Sequence, residues 1–189
     1  VGRRHYTVAQ RVRQTLAQGL RAEFKTLIDP SQLDQILGVL GLANGTPWVR
    51  QTHFLDTPKL DFMTAGVVMR ARSRKDSKDT STVKVRPLMP SQMQGNWDDV
   101  KGFKFENDIV ASGSKTSASI KFKMPEGHVD EQLQRGKLKK MFSDEQLDFI
   151  KQQTGIDVDF DQLRTYGPVV SRKWESEKGV SGFPVDVET

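Results

Sequence analysis

Charged residues recur two apart along this chain. Glu23 and Lys25 stand two apart in "RAEFKTLID", a stretch that opens with Arg21. Arg70 and Arg72 follow in "VVMRARSR", Lys84 and Arg86 in "TVKVRPL", Lys104, Glu106 and Asp108 in "FKFENDIV", Lys121 and Lys123 in "SIKFKM", and Asp186 and Glu188 in "VDVET". Successive side chains of a strand point to opposite faces, so each charged set shares one face. The reverse faces are mostly apolar: Met69, Val83 and Val85, Phe103 and Phe105, Ile120 and Phe122, Val185 and Val187. One such strand alone is the pattern of an antiparallel sheet with a wet side. The same habit repeated along the chain, with arginines near carboxylates, points to a closed barrel that gathers these faces into one polar lumen. Charges held there need partners. The basic groups want an anion and the acids a cation, and a polyphosphate with a divalent metal supplies both.

The elements that must position these residues read as strands joined by turns. Strands are expected from Leu20, over "WVRQTHFLDT", "GVVMRARSR", "STVKVRPL", "GFKFENDIVAS", "SASIKFKM", "PVVSRKWESE" and "FPVDVET". "DPSQLDQILGVLGL" reads as a helix, with Asp29 or Ser31 as cap, Pro30 near its start and Leu33, Ile36, Leu37 and Leu40 on one face. "FSDEQLDFIKQQTG" reads as another, with Ser143 as cap, Gln146 at the capping-box position and Gly155 at the end. Helices do not alternate with strands, which argues against a doubly wound parallel sheet. The expected fold is mainly β: an eight-stranded antiparallel β-barrel, or tunnel, with a few inserted or flanking helices. Residues 1–19, loosely helical and basic, are expected as an N-terminal helix or arm, and 20–189 as the tunnel domain.

The formal charge of +5 fits a polyanionic partner as well as a solubilising surface. No apolar run approaches the length of a membrane helix, so no membrane partner is expected. The chain has no cysteine. That removes disulfides, thiolate metal sites and cysteine nucleophiles, and fits a reducing, cytoplasmic location. There is no P-loop, dinucleotide-binding glycine pattern or nucleophile elbow. His5, His53 and His128 are scattered without metal-ligand spacing. Trp48, Trp97 and Trp174 read as packing residues, or in one case as a platform for a nucleobase. The "GRRHY…RVR" segment suits a nucleic acid less well than a solvated helix.

These motifs resemble the CYTH superfamily, the triphosphate tunnel metalloenzymes. The family's E-x-E-x-K strand reads here as Arg21-Ala-Glu23-Phe-Lys25. Its D-T-P, leucine, glycine and L-R-x-R signature reads as "HFLDTPKLDFMTAGVVMRAR", its T-x-K strand as "TVKVRP", and its R-x-E-x-E strand as Lys104-Phe-Glu106-Asn-Asp108. "SASIK" and "KLKKMFSDEQ" are similar to a bacterial branch of the family. The resemblance implies that inward Lys and Arg hold a triphosphate and that inward carboxylates hold Mg2+ or Mn2+. Glu23 and Lys25 would be catalytic. Arg70, Arg72, Lys84, Arg86, Lys104, Lys121 and Arg172 would bind phosphate, Lys173 being the other choice in "SRKWE". Glu23, Glu106, Asp108, Asp186 and Glu188 would be metal ligands. The implied activity is hydrolysis of a triphosphate-bearing substrate, inorganic or organic. Cyclisation of ATP to cyclic AMP, or polyphosphate or nucleotide binding without catalysis, are the alternatives. Two departures bear on this. Arg21 stands where the family has its first glutamate, and the family's final E-x-E strand is expected to be missing from this chain, which leaves the barrel open at one edge.

Overall fold

The computed structural model describes residues 21–176 and 184–189; the expected arm over 1–19 lies outside the described residues. Eight strands form one sheet: β1 (Arg21–Phe24), β2 (Trp48–Asp56), β3 (Val67–Ser73), β4 (Asp79–Val85), β5 (Phe103–Val110), β6 (Gly113–Met124), β7 (Arg164–Ser176) and β8 (Val185–Glu188). Their order is β1-β5-β6-β4-β3-β2-β7-β8. All neighbours run antiparallel except β1 and β5, which pair parallel, Glu23 lying opposite Asp108. That departs from the all-antiparallel expectation. Among the described residues the curled sheet is a half-barrel with β1 and β8 at its edges. The edges approach one another: the chain leaves β1 at Phe24, and Ile28 already packs with Leu37 and Val187 on the β8 side. Those four residues span at most about 14 Å.

The hydrophobic core lies on the convex side. Four helices are described: α1 (Leu33–Val39), which packs with Leu42 and Val187 in a smaller cluster, and α2 (Asp61–Thr64), α3 (His128–Gln134) and α4 (Asp144–Thr154) on the main core. The alternation along β3, with Val67, Met69 and Ala71 buried and Val68, Arg70 and Arg72 half-buried, separates core from lumen. Ile120, Val83, Phe149, Ile150 and Met141 build that core. Gln146 ties α4 to the sheet. It is fully buried, its Nε2 donating to Ile120 O at 2.9 Å and its Oε1 accepting from Ser81 Oγ at 2.9 Å and Ser143 N at 3.1 Å. The capping box expected at Ser143 and Gln146 and the glycine at the helix end are both present.

The "DTP" run launches β3. Asp56 accepts hydrogen bonds from the backbone N–H groups of Thr57, Phe62 and Met63 at 2.7, 3.0 and 2.9 Å, which fixes the short helix α2. Gly66 follows with φ +77°, and a Cβ there would lie 2.2 Å from Arg86 O. Only glycine lets the turn close on β4, where Arg86 N donates to Gly66 O at 2.8 Å. This run carries no reactive group into the lumen; it sets the register of the strand that bears Arg70 and Arg72.

Candidate functional site

The register ladder assembles the lumen rung by rung. Arg70 of β3 lies opposite Phe54, Thr82 lies opposite Arg70, and Lys121 lies opposite Thr82. One rung along, Thr52, Arg72, Thr80 and Lys123 share a level. In the other direction Lys84 meets Ser119, which meets Lys104. The charged face expected from sequence is therefore the concave face, and strand period is what places it.

At the β1 edge the lysines and acids interleave. Lys25 Nζ lies 2.9 Å from Asp108 Oδ1 and 3.3 Å from Glu23 Oε2. Lys84 Nζ lies 3.5 Å from Asp108 and 3.6 Å from Glu106, and Lys104 reaches Glu106 at 3.8 Å. Burial alone would raise the Asp108 carboxyl, but Lys25 and Lys84 together hold it below the usual carboxylate range. The same bond to Asp108 outweighs desolvation at Lys25 and holds its ammonium above the usual lysine range.

At the β8 edge Glu188 takes both oxygens to the Arg50 guanidinium. Lys173 Nζ lies 2.8 Å from Asp186 and 2.6 Å from Glu175. The ladder answers the choice in "SRKWE". Lys173 pairs opposite both Trp48 and Glu188 and faces the lumen, whereas Arg172, opposite Val49, is exposed on the outer face. The expected phosphate contact at Arg172 is corrected on that ground. Arg86 keeps the parity of Lys84 but follows the last residue of β4 and is exposed, with its backbone N–H spent on Gly66. Arg21 pairs opposite Glu106 in backbone register.

Between the two edges the positive charge has, among the described residues, no acid in ion-pair contact. Among the described residues Arg70, Arg72 and Lys121 make no ion pair within 4.0 Å, in contrast to Lys25, Lys84 and Lys104. The Arg70 Nε is buried without a hydrogen-bond partner. Desolvation, reinforced by Arg70 and Arg50, pushes Arg72 down to about 9. A guanidinium holds its proton in water, so such a depression registers as a demand for an anion. This central band is the clearest ligand-shaped feature of the lumen, and it accepts tetrahedral anions through forked N–H donors.

The carboxylates are arranged differently. Glu23, Glu106, Asp108, Asp186 and Glu188 each have a lysine or arginine on them. Among the described residues no three Asp, Glu or His side chains gather closely enough to hold a metal ion. As placed, these residues do not form a cage for Mg2+ or Mn2+. Arg50 and Lys123 were not assigned a site role from sequence, although both sit on the lumen; their parity with Trp48 and Lys121 was the available signal.

No family model matches this chain, and no curated protein matches it. Solved structures do. It is similar to a candidate adenylyl cyclase from Hippeastrum, HpAC1, a protein described as having a dominant triphosphatase activity, with a TM-score of 0.60 and 13% identity over 86% of this chain and 68% of that one. It is also similar to a candidate adenylate cyclase from Bacillus halodurans, with a TM-score of 0.56 and 13% identity over the same shares of the two chains. At this identity the likeness is one of fold: a curled, mostly antiparallel sheet of the half-barrel kind.

Proposed function

We propose that this chain binds the triphosphate group of an inorganic or organic triphosphate along the lumen and hydrolyses its terminal phosphoanhydride. The observation that carries this reading is the central band of Arg70, Arg72 and Lys121, cationic, partly desolvated and without an acidic partner among the described residues. Lys84 and Lys25 border it and offset charge as the leaving oxygen takes up its electron pair. Water adds to the terminal phosphorus, the bridging P–O bond breaks, and the water proton leaves through Glu23, whose side chain is 50% exposed and 3.3 Å from Lys25. The similar fold of HpAC1, the protein described as having a dominant triphosphatase activity, supports the reaction class. Mg2+ or Mn2+ remains a proposed co-ligand that arrives with the triphosphate, where it would add charge neutralisation.

A second reading has its own support. Every carboxylate expected to hold metal is already bridged to a cation, which suits a polyphosphate- or nucleotide-binding module without turnover. Phosphate release from inorganic triphosphate, ATP and thiamine triphosphate separates the two, measured with Mg2+, Mn2+ or chelator. Release that needs metal and is lost in Lys25→Ala and Glu23→Gln supports the hydrolase. Cyclic AMP from ATP would move the reaction to the α-phosphate. Binding without any product would leave the module.

A further inference from the structure

On the convex side, beside α4, lies a groove of about 520 Å³, and none of the residues that line it belongs to the lumen. Its size falls within the range of about 300–1,000 Å³ usual for ligand sites. The floor is apolar: Leu138, Leu147, Val158 and Phe160, each half-buried and packed against the main core. Both walls are held by hydrogen bonds. One is the turn Leu138–Met141, where Lys140 N donates to Lys137 O at 3.0 Å and Phe142 N to Lys139 O at 3.1 Å. The His128 ring ties the same wall to α3, its Nε2 lying 3.1 Å from Lys140 O. The other wall is the turn Phe160–Gln162, capped by Asp159. Asp159 Oδ1 accepts from Asp161 N at 3.0 Å and its Oδ2 from Gln162 Nε2 at 2.9 Å. The Phe160 ring centroid stands 6.1 Å from that of Phe142, which is buried. The groove is therefore formed before any ligand arrives.

Charge decides what suits it. Lys137, Lys139 and Lys140 line one wall and are exposed. Among the described residues they make no ion pair within 4.0 Å, in contrast to Lys151 of α4, which holds Asp157 at 2.8 Å. On the facing wall Asp159 is spent on its cap, which leaves Asp161 to oppose three ammonium groups. That balance favours an acidic occupant. The floor asks for apolar anchors, which a free phosphate lacks and a peptide supplies. A nucleic-acid backbone would meet the carboxylates of Asp159 and Asp161 on the far wall.

We propose that this groove docks an acidic peptide segment of a partner protein, its apolar side chains on Leu138, Leu147, Val158 and Phe160 and its carboxylates on Lys137, Lys139 and Lys140. Nothing in this depends on the triphosphate reading of the lumen. The probes are two sets of synthetic peptides of about twelve residues, with Leu or Phe anchors at i, i+3, i+4 and i+7. One set carries Glu at the remaining positions and the other carries Lys. Binding is read by fluorescence anisotropy of labelled peptide and by amide chemical shifts of the protein. The Glu set should bind at least about tenfold more tightly than the Lys set, with shifts at Leu138, Leu147, Val158 and Phe160. Lys137→Glu, Lys139→Glu and Lys140→Glu together should reverse the preference, a gain of Lys-set binding that partial unfolding would not produce. Lys139→Glu alone should move it part of the way, and triphosphate binding should be unchanged in both variants. No shift at the groove, equal binding of the two sets, or Glu-set affinity indifferent to charge reversal overturns the proposal. So does adsorption to phosphatidylserine vesicles, or self-association, that charge reversal removes while neither peptide set shifts the groove.

Discussion

The same residue type behaves differently according to its neighbours in this lumen. Lys25 and Lys84 each lie between two carboxylates, which hold them in place at the border of the band. Lys121 makes no ion pair among the described residues, and its ammonium is held below the usual lysine range, first by desolvation and then by Lys104, Lys123, Arg72 and Arg70. A bound polyanion reverses the sign of that neighbourhood and raises Lys121 again. Between the free and bound values, binding takes up a proton, and affinity falls as pH rises through that window. Calorimetry in alkaline buffers of different ionisation enthalpy should read net proton uptake with triphosphate, and Lys121→Gln should abolish it. Binding without uptake would place the anion elsewhere. At this scale the sequence was informative about type and parity and silent about pairing. Arg70, Arg72, Lys84, Lys104 and Lys121 could be named because period 2 is local. Arg172 and Lys173 could not be separated, because their choice depends on which residue of β2 lies opposite.

The elements explain why the lumen holds its shape. α4 is bound to the sheet through Gln146, a polar group with no exposure and three partners on β4, β6 and its own cap. Gln146→Leu keeps the volume but strands Ser81, Ile120 O and Ser143 N; the expected cost is about 2–3 kcal/mol in urea unfolding. A cost within about 0.5 kcal/mol would mean that these groups find other partners. The strands and this helix were legible because period and caps are written in neighbouring residues. α3 was not: it starts after Gly127 in the left-handed region without a side-chain cap, and seven residues give little periodicity. α2 was missed because its N-cap residue, Leu60, brings no side-chain cap, and its first N–H groups are satisfied instead by Asp56 at the end of β2. The "DTP" signature, read from sequence as part of a chemical motif, is a structural device of the same kind.

On the scale of the whole molecule, topology sorts charge. The sheet order carries β1 and β8 to the two edges, and the connection from Phe24 to Ile28 brings those edges near each other. Paired charges therefore line both edges, and unpaired cations line the band between. The parallel pairing of β1 with β5 was invisible in sequence, because it joins segments about eighty residues apart with no local signature. Among the described residues no helix is long and apolar enough to cross a membrane. A band of desolvated cations opposes folding of the free chain and favours it once an anion is bound. The most direct measurement is therefore titration of inorganic triphosphate into the unaltered chain and Arg70→Met, with thermal unfolding of both. The account predicts that Arg70→Met is more stable than the unaltered chain by about 1–2 kcal/mol without ligand, yet binds triphosphate some ~10- to 100-fold more weakly. Equal triphosphate affinity in the two proteins would contradict it.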